Sequence, residues 1–371
     1  MAKRFTIVVF VTICAMFLIV GVKFVREVGL LHKYPKAEYF SEEEEFKRPA
    51  YSQLSNKEKA VYHALWAGIK ERQENIQLPH EIDGDTYSKL YCLVEKQESD
   101  FFYVDSTYYT ARKLREAHIA YREDIETIPE KVEQFAAAKS TVISRANGAT
   151  DDYNKVMRIH DSIVNRCKYV IGEDKKYTST AYGCLVEGEA NCEGYAKAFN
   201  LIATECGLRS VLLTGTTDTG ENHAWNQVMI GDTWYNIDVT WDDSDVAGAT
   251  RREYFLCNDE NFGKTHTADE EYFRSFKCDG ASNAYYKKND MMANSVEKAV
   301  NIVMKAAAEN SETIDIKFTD ISVYKAFKEE YIDNSCIFDV LLESGGDYGD
   351  LMNLSVRENE KELCITLHMY K

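Results

Sequence analysis

Three residues, Cys192, His223 and Asp238, are of the types that together make a nucleophile, a base and an orienting acid. Cys192 stands in "GEANCEGYAKAFNLIATECG", where a proline-free, apolar-periodic run begins and Gly207 supplies the stop, which predicts a helix from about Cys192 to Cys206. At a helix start the unpaired backbone N–H groups and the positive end of the dipole favour a thiolate, which is the attacking form of sulfur. Cys206 meets the negative pole instead and reads as packing. A thiolate needs a base that titrates near neutral pH, and the chain has only 8 histidines. His223, in "GENHAWNQVMI", opens a predicted strand. Asp238, in "NIDVTWDD", lies beyond the Gly231-Asp232 pair that closes a tight hairpin, and antiparallel pairing sets position 223 opposite about 239 or 240. A carboxylate that close to an imidazole fixes its tautomer and stabilises its protonated form.

The elements that must hold these groups can be read as patterns. "DDYNKVMRIHDSIVNRCKYV" puts Val156, Ile159, Ile163 and Val164 on one helical face, ahead of the helix of Cys192. "RSVLLTGTTD", "HAWNQVMI" and "TWYNIDVTW" are rich in β-branched and aromatic residues and read as antiparallel strands, so the core is α+β. Trp225, Trp234 and Trp241 read as core, with one of them lining a substrate groove as the alternative, and His160, beside Asp161 on a helix, reads as a capping or packing residue. Upstream, "SNKEKAVYHALWAGIKER" has Ser55 at an N-cap position and Val61, Leu65, Trp66 and Ile69 on one face. Helical spacing recurs from Ile119 to Ile143 with a break near Pro129. "FFYVDSTYYT" between them reads as a short strand or hairpin. Beyond Asp290, helix, strand, helix and strand follow one another in a separate small α/β unit without visible chemistry.

At 371 residues and a formal charge of -17, the chain is too long for one core and too acidic to favour nucleic acid. After Lys3 and Arg4 the uncharged run "FTIVVFVTICAMFLIVGV", Phe5 to Val22, is long enough for a membrane helix. It reads as an uncleaved anchor with everything after Lys23 outside the cell; secretion after cleavage is the alternative. The run "SEEEEFKRP" marks a charged linker. The 10 cysteines leave the disulfide pattern open. With no CxxC or HExxH there is no zinc signature, and "DSDVAG" from Asp243 fails as a calcium loop because Ala247 and Tyr254 replace oxygen ligands. No glycine-rich phosphate loop is present, so neither a metal nor a cofactor is expected.

"NCEGYAKAFN", "NHAWNQV" and "WYNIDVTWDD", in that order, resemble the bacterial transglutaminase-like superfamily, as do "IHDSIV", "CKYV" and "REYFLCNDENFGKTH" around them. The resemblance covers about Lys155 to Tyr286. It implies a papain-like core, Cys192 as nucleophile, His223 as base, Asp238 as third member, and acyl transfer through a thioester to an amine or to water on protein or peptide substrates, including those of a cell wall. Tyr182, in "TAYGCLVEG", is the candidate for helping the backbone N–H of Cys192 to hold the oxyanion; packing under the helix is its other reading. The implied layout is an anchor or signal at 1–25, a linker at 26–50, a mostly helical region at 51–150, a catalytic domain at 151–287 and an α/β unit at 290–371. The rival reading is a non-catalytic surface binding or scaffold protein on the same fold.

Overall fold

The charged run ahead of residue 50 is folded against the body of the protein in the computed structural model, which describes residues 20, 34–172, 175–243, 250–281, 284–346 and 354–369. Ser41 caps helix α1 (Glu42–Phe46), and the Glu44 carboxylate accepts from the Ser41 amide at 3.0 Å. Acids that repel one another in an extended linker are stabilised at the positive end of a helix, so this part of the expected linker at 26–50 is helical. Phe40, directly before the cap, is buried edge-on against Tyr51, Tyr62 and Trp66, with the Arg48 guanidinium 4.1 Å from its ring centre. The apolar run Phe5–Val22 lies outside the described residues apart from Val20. Among the described residues no helix is long and apolar enough to cross a membrane.

Pro49 opens α2 (Pro49–Ser52), and Ser55 and Glu58 form a reciprocal cap on α3 (Asn56–Lys70), which buries Val61, Leu65 and Ile69. Strand β1 (Asn75–Asp83), helix α4 (Gly84–Gln97) and strand β2 (Lys113–His118) follow, with β1 and β2 antiparallel. The aromatic stretch expected as a strand is irregular. Phe101, Phe102, Tyr103 and Val104 are all buried, whereas a strand would turn alternate side chains to opposite faces; only an isolated bridge joins Val104 to Tyr121. Helix α5 (Ile128–Asn147) begins at Pro129's first turn, where a missing N–H leaves no bond unmade.

Asp151 caps α6 (Asp152–Val164), whose face of Val156, Ile159 and Ile163 is buried. A short parallel pair, β3 (Lys168–Tyr169) with β4 (Glu189–Ala190), leads into α7 (Cys192–Glu205). Strands β5 (Arg209–Thr217), β6 (Asn222–Ile230), β7 (Thr233–Ile237) and β8 (His266–Ala268) form an antiparallel sheet in the order β7-β6-β5-β8. Gly231 turns the β6–β7 hairpin at φ 58°, a left-handed value that favours glycine. Helix α7 lies on this sheet, with Ala196, Leu212 and Ala224 buried together and Cys192 packed against them. The architecture is α+β.

A second sheet, in the order β11-β12-β10-β9, is built from β9 (Met292–Ala293), β10 (Thr313–Phe318), β11 (Leu354–Asn359) and β12 (Cys364–Met369). Helices α8 (Val296–Ala308), α9 (Ile321–Phe327) and α10 (Ile337–Glu343) enclose a separate core that includes Val303, Ile316, Phe318, Leu341 and Ile365. This unit touches the first one through polar contacts: Arg357 and Asn359 on Glu253, and Lys361 with Asp218.

Candidate active site

The local sequence explains why Cys192 is presented at a helix start. Asn191 is the N-cap, its side-chain oxygen accepting from the Gly194 amide at 3.2 Å, so Cys192 occupies the first helical position. Gly194 lets the helix sit close on the preceding segment: a Cβ there would lie 2.4 Å from the Thr178 carbonyl oxygen and 2.8 Å from Ala190 Cβ. Cys192 is half-buried. Cys206, at the other end of α7, is buried, and burial pushes its thiol up to about 11.

His223 is the second residue of β6 and pairs with Gly215 on β5. Asp238 follows the end of β7, its backbone N–H donating to the Tyr254 carbonyl at 3.1 Å. Its Oδ1 accepts from the backbone N–H groups of Thr240 at 2.9 Å and Trp241 at 3.1 Å. Its Oδ2 accepts from Nε2 of His223 at 2.7 Å and Nε2 of His266 at 3.1 Å. Every lone-pair direction of the carboxylate is thus met by a donor, which is what allows it to be fully buried as an anion. Nε2 of His223 is taken by Asp238, which leaves Nδ1 for a thiol.

Burial alone would lower the basicity of His223, but the charge and hydrogen bond of Asp238, followed by a side-chain hydrogen bond and the charge of Cys192, push it up to about 10. Burial likewise works against the ionised Asp238, yet His223 and then His266 hold its carboxyl well below the usual range. Aromatic rings close off the pair. Trp241 lies 5.3 Å from the His223 ring, and His266 stacks on Phe262 at 3.9 Å. Trp225 is core as expected, while Trp241 also lines the open cleft that runs past His223, Thr240 and Tyr169.

His160 turns out to brace the turn after Asp238. It is completely buried, its Nε2 lies 3.2 Å from Asp242 Oδ2, and Asp242 Oδ1 accepts from the Tyr254 amide at 3.0 Å. The Asp242 amide donates back to the Asp238 carbonyl at 3.2 Å.

Tyr182 is placed elsewhere. It is buried with its ring stacked on Phe102 at 4.6 Å and its hydroxyl donating to Gln134 at 2.8 Å, which is the packing position of its two readings and not the oxyanion one. Tyr169 is the tyrosine that faces the cleft. It is half exposed, and burial and then the nearby Cys192 raise its phenol.

His266 is the site residue that spacing did not reveal, because it reaches Asp238 from β8, across the sheet from β7; only its place at the end of "FGKTH" pointed to this neighbourhood. Ligand atoms of His223, Asp238 and His266 lie within 4.8 Å of one another, a grouping that could hold a metal ion although no metal motif announces it. Of the weak calcium loop, 244–249 lie outside the described residues; Asp243 accepts from the Tyr195 hydroxyl at 2.6 Å.

Comparison with known proteins bears on the same part of the chain. Residues 139–239 match the model of the transglutaminase-like superfamily core. The mouse kyphoscoliosis peptidase is 33% identical over 91 residues, covering 22% of this chain and 14% of that protein. The human kyphoscoliosis peptidase is 28% identical over 134 residues, covering 32% of this chain and 20% of that protein. The chain therefore spans only a small part of the relatives it matches. A solved structure of a TGase overlaps 48% of this chain and 50% of its own at 14% identity with a TM-score of 0.29, too loose to place residues. The match over 139–239 takes in Cys192, His223 and Asp238, so this part of the chain is a transglutaminase-like core domain.

Proposed function

We propose that the chain is a cysteine-dependent acyltransferase or amide hydrolase that acts on protein or peptide substrates. The observation that supports this reading is the buried His223 ring held by Asp238 on one nitrogen and neighbouring the Cys192 thiol with the rest of its edge. A scaffold that only binds has no use for a carboxylate supplied with four donors behind an imidazole.

In this reading His223, with its basicity raised by Asp238, already holds the proton of Cys192, and the thiolate attacks the carbonyl carbon of a substrate amide. The backbone N–H of Cys192, at the first position of α7, is directed at the developing oxyanion. Collapse of the tetrahedral adduct breaks the C–N bond, and His223 returns the proton to the departing amine, leaving a thioester. Water or a second amine then attacks the thioester, gives its proton to His223, and the sulfur leaves as the thiolate, which restores the starting pair. Water yields hydrolysis; an amine yields a new amide. The relatives bear the name peptidase, which is in line with the hydrolytic branch.

The test is an assay of the full chain against peptide pools for released amine and for incorporation of a labelled primary amine, with Cys192→Ala as control. Either product, lost in the variant, supports the proposal. Products that persist in Cys192→Ala, or an inert wild type with a folded His223–Asp238 pair, contradict it. The anchor read in Phe5–Val22 belongs to the same proposal as a tether of this site to a membrane, and fractionation of the full chain with and without residues 1–25 tests it.

A further inference from the structure

Among the described residues the cleft beside His223 is lined by four cationic side chains against three carboxylates. The protein is strongly acidic at -17, yet Arg166, Lys168, Arg251 and Arg357 all line this groove. Of the carboxylates on the same walls, two are already committed. Asp243 accepts from Tyr195, and Glu253 is buried with both oxygens occupied: Oε2 takes Arg357 Nη1 at 3.1 Å and Asn359 Nδ2 at 2.8 Å, while Oε1 takes Arg357 Nη2. Glu221 is the exposed one.

Arg251 has no such arrangement. Its Nε is buried without a hydrogen-bond partner, and among the described residues no carboxylate forms an ion pair with its guanidinium. It stands close to Arg357, since burial and then the Arg251 charge hold Arg357 below the ordinary guanidinium value. Both guanidinium groups line the groove, and the carboxylate beside them is taken by Arg357, so among the described residues the Arg251 charge is left unpaired. A planar fork of N–H donors in that state is matched by a carboxylate, which it can bind with two parallel hydrogen bonds.

We propose that Arg251, backed by Arg357, forms a subsite that binds a carboxylate of the peptide lying in the cleft, either an acidic side chain or a free C-terminus. Arg251 comes from the segment that follows the catalytic strands, and Arg357 from β11 of the C-terminal unit. That unit thereby contributes a wall to the substrate groove, with Glu253 as the strut that fixes Arg357 in place. This inference rests on the acyl-transfer reading for the identity of the groove as a substrate site.

The test uses the full chain carrying Cys192→Ala and three fluorescein-labelled pentapeptides: one with a central glutamine and an amidated C-terminus, one with glutamate in its place, and one with glutamine and a free C-terminus. Fluorescence anisotropy at low salt should show at least one carboxylate-bearing peptide binding about tenfold tighter than the neutral one, a difference of about 1.4 kcal/mol. Which of the two gains affinity identifies the source of the carboxylate. Arg251→Gln should abolish the preference and Arg251→Lys retain part of it, with unfolding midpoints of both variants measured to establish that they fold. Equal affinities, no saturable binding of either acidic peptide, or a preference that survives Arg251→Gln overturns the subsite. Acyl-transfer competence is read separately as iodoacetamide alkylation of Cys192 in the wild type, so failure of one idea is not mistaken for failure of the other.

Discussion

Nε2 of His223 and Oδ2 of Asp238 lie 2.7 Å apart with both side chains buried, on either side of a hairpin whose turn is Gly231. The distance follows from register. Asn226 pairs with Ile237, so a carboxylate one residue past the strand end is delivered back toward the start of β6. Backbone donors from Thr240 and Trp241 then keep it from rotating away. Asp238→Asn should reduce turnover of any peptide found to be a substrate by about 10²–10⁴-fold, because an amide can present the wrong partner to Nε2. Steady-state kinetics of that variant, with unaltered turnover as the contrary outcome, checks the role.

The pair also makes stability depend on pH in a defined direction. His223 is pushed up to about 10 in the folded chain because Asp238 and Cys192 outweigh burial, against an unfolded value of about 6.5. Its contribution is therefore complete below about 6.5 and is lost as the pH rises toward 10. Asp238 is depressed, so its side of the same pair is present above about 3.9 and disappears as the pH falls through its lowered folded value. In urea unfolding, wild type should exceed Asp238→Asn by about 3–5 kcal/mol at pH 6, with a narrower gap at pH 10. A gap that widens on the alkaline side contradicts the assignment.

His266 supplies a second imidazole donor to Asp238 from β8. His266→Phe should cost about 1.5–3 kcal/mol through the lost hydrogen bond to a charged group, and by leaving Oδ2 of Asp238 to His223 alone it should raise the pH above which the His223 contribution fades. Both quantities come from denaturant titrations across pH. An unchanged stability would mean that the contact with Asp238 carries no weight.

Seating of α7 depends on Gly194, whose missing side chain admits the Thr178 carbonyl. Gly194→Ala should destabilise by about 1–3 kcal/mol through overpacking and should slow alkylation of Cys192 by shifting the helix start. Asn191→Ala, which removes the cap, should cost about 0.5–2 kcal/mol. Thermal unfolding and thiol labelling of the two variants separate the effects, and a stabilised Gly194→Ala would contradict the close contact.

Phe40 is the residue that makes the acidic N-terminal run part of the fold. Phe40→Ala should cost about 3 kcal/mol, measured by urea unfolding of the full chain. A solvated linker would show no change.

The parts of the fold that were legible in the sequence are those in which one pattern carries one element. Ser55 at its N-cap, the buried face of α6, the glycine turn between β6 and β7, and the stop at Gly207 each follow from local chemistry. Charge masked the rest. The glutamates of α1 read as repulsion until the Ser41 cap is seen, and β1, "NIQLPHEID", mixes a proline and acids into a strand that pairs with β2 alone. For Tyr182 the sequence leaves oxyanion support and packing both open, because proximity to Cys192 says nothing about which side of the helix a ring packs beneath. His266 was missed for the opposite reason: its contact with Asp238 joins strands that are not adjacent in the sheet.

The central claim is that His223 activates Cys192, and alkylation tests it most directly. Full chain is treated with iodoacetamide at pH 7, and labelling of Cys192 and Cys206 is followed by peptide mass spectrometry in wild type and His223→Ala. The account predicts that Cys192 reacts at least about tenfold faster than Cys206, whose thiol is buried and pushed up to about 11, and that His223→Ala slows Cys192 alone. Equal rates at the two cysteines, or a Cys192 rate indifferent to His223, would contradict it.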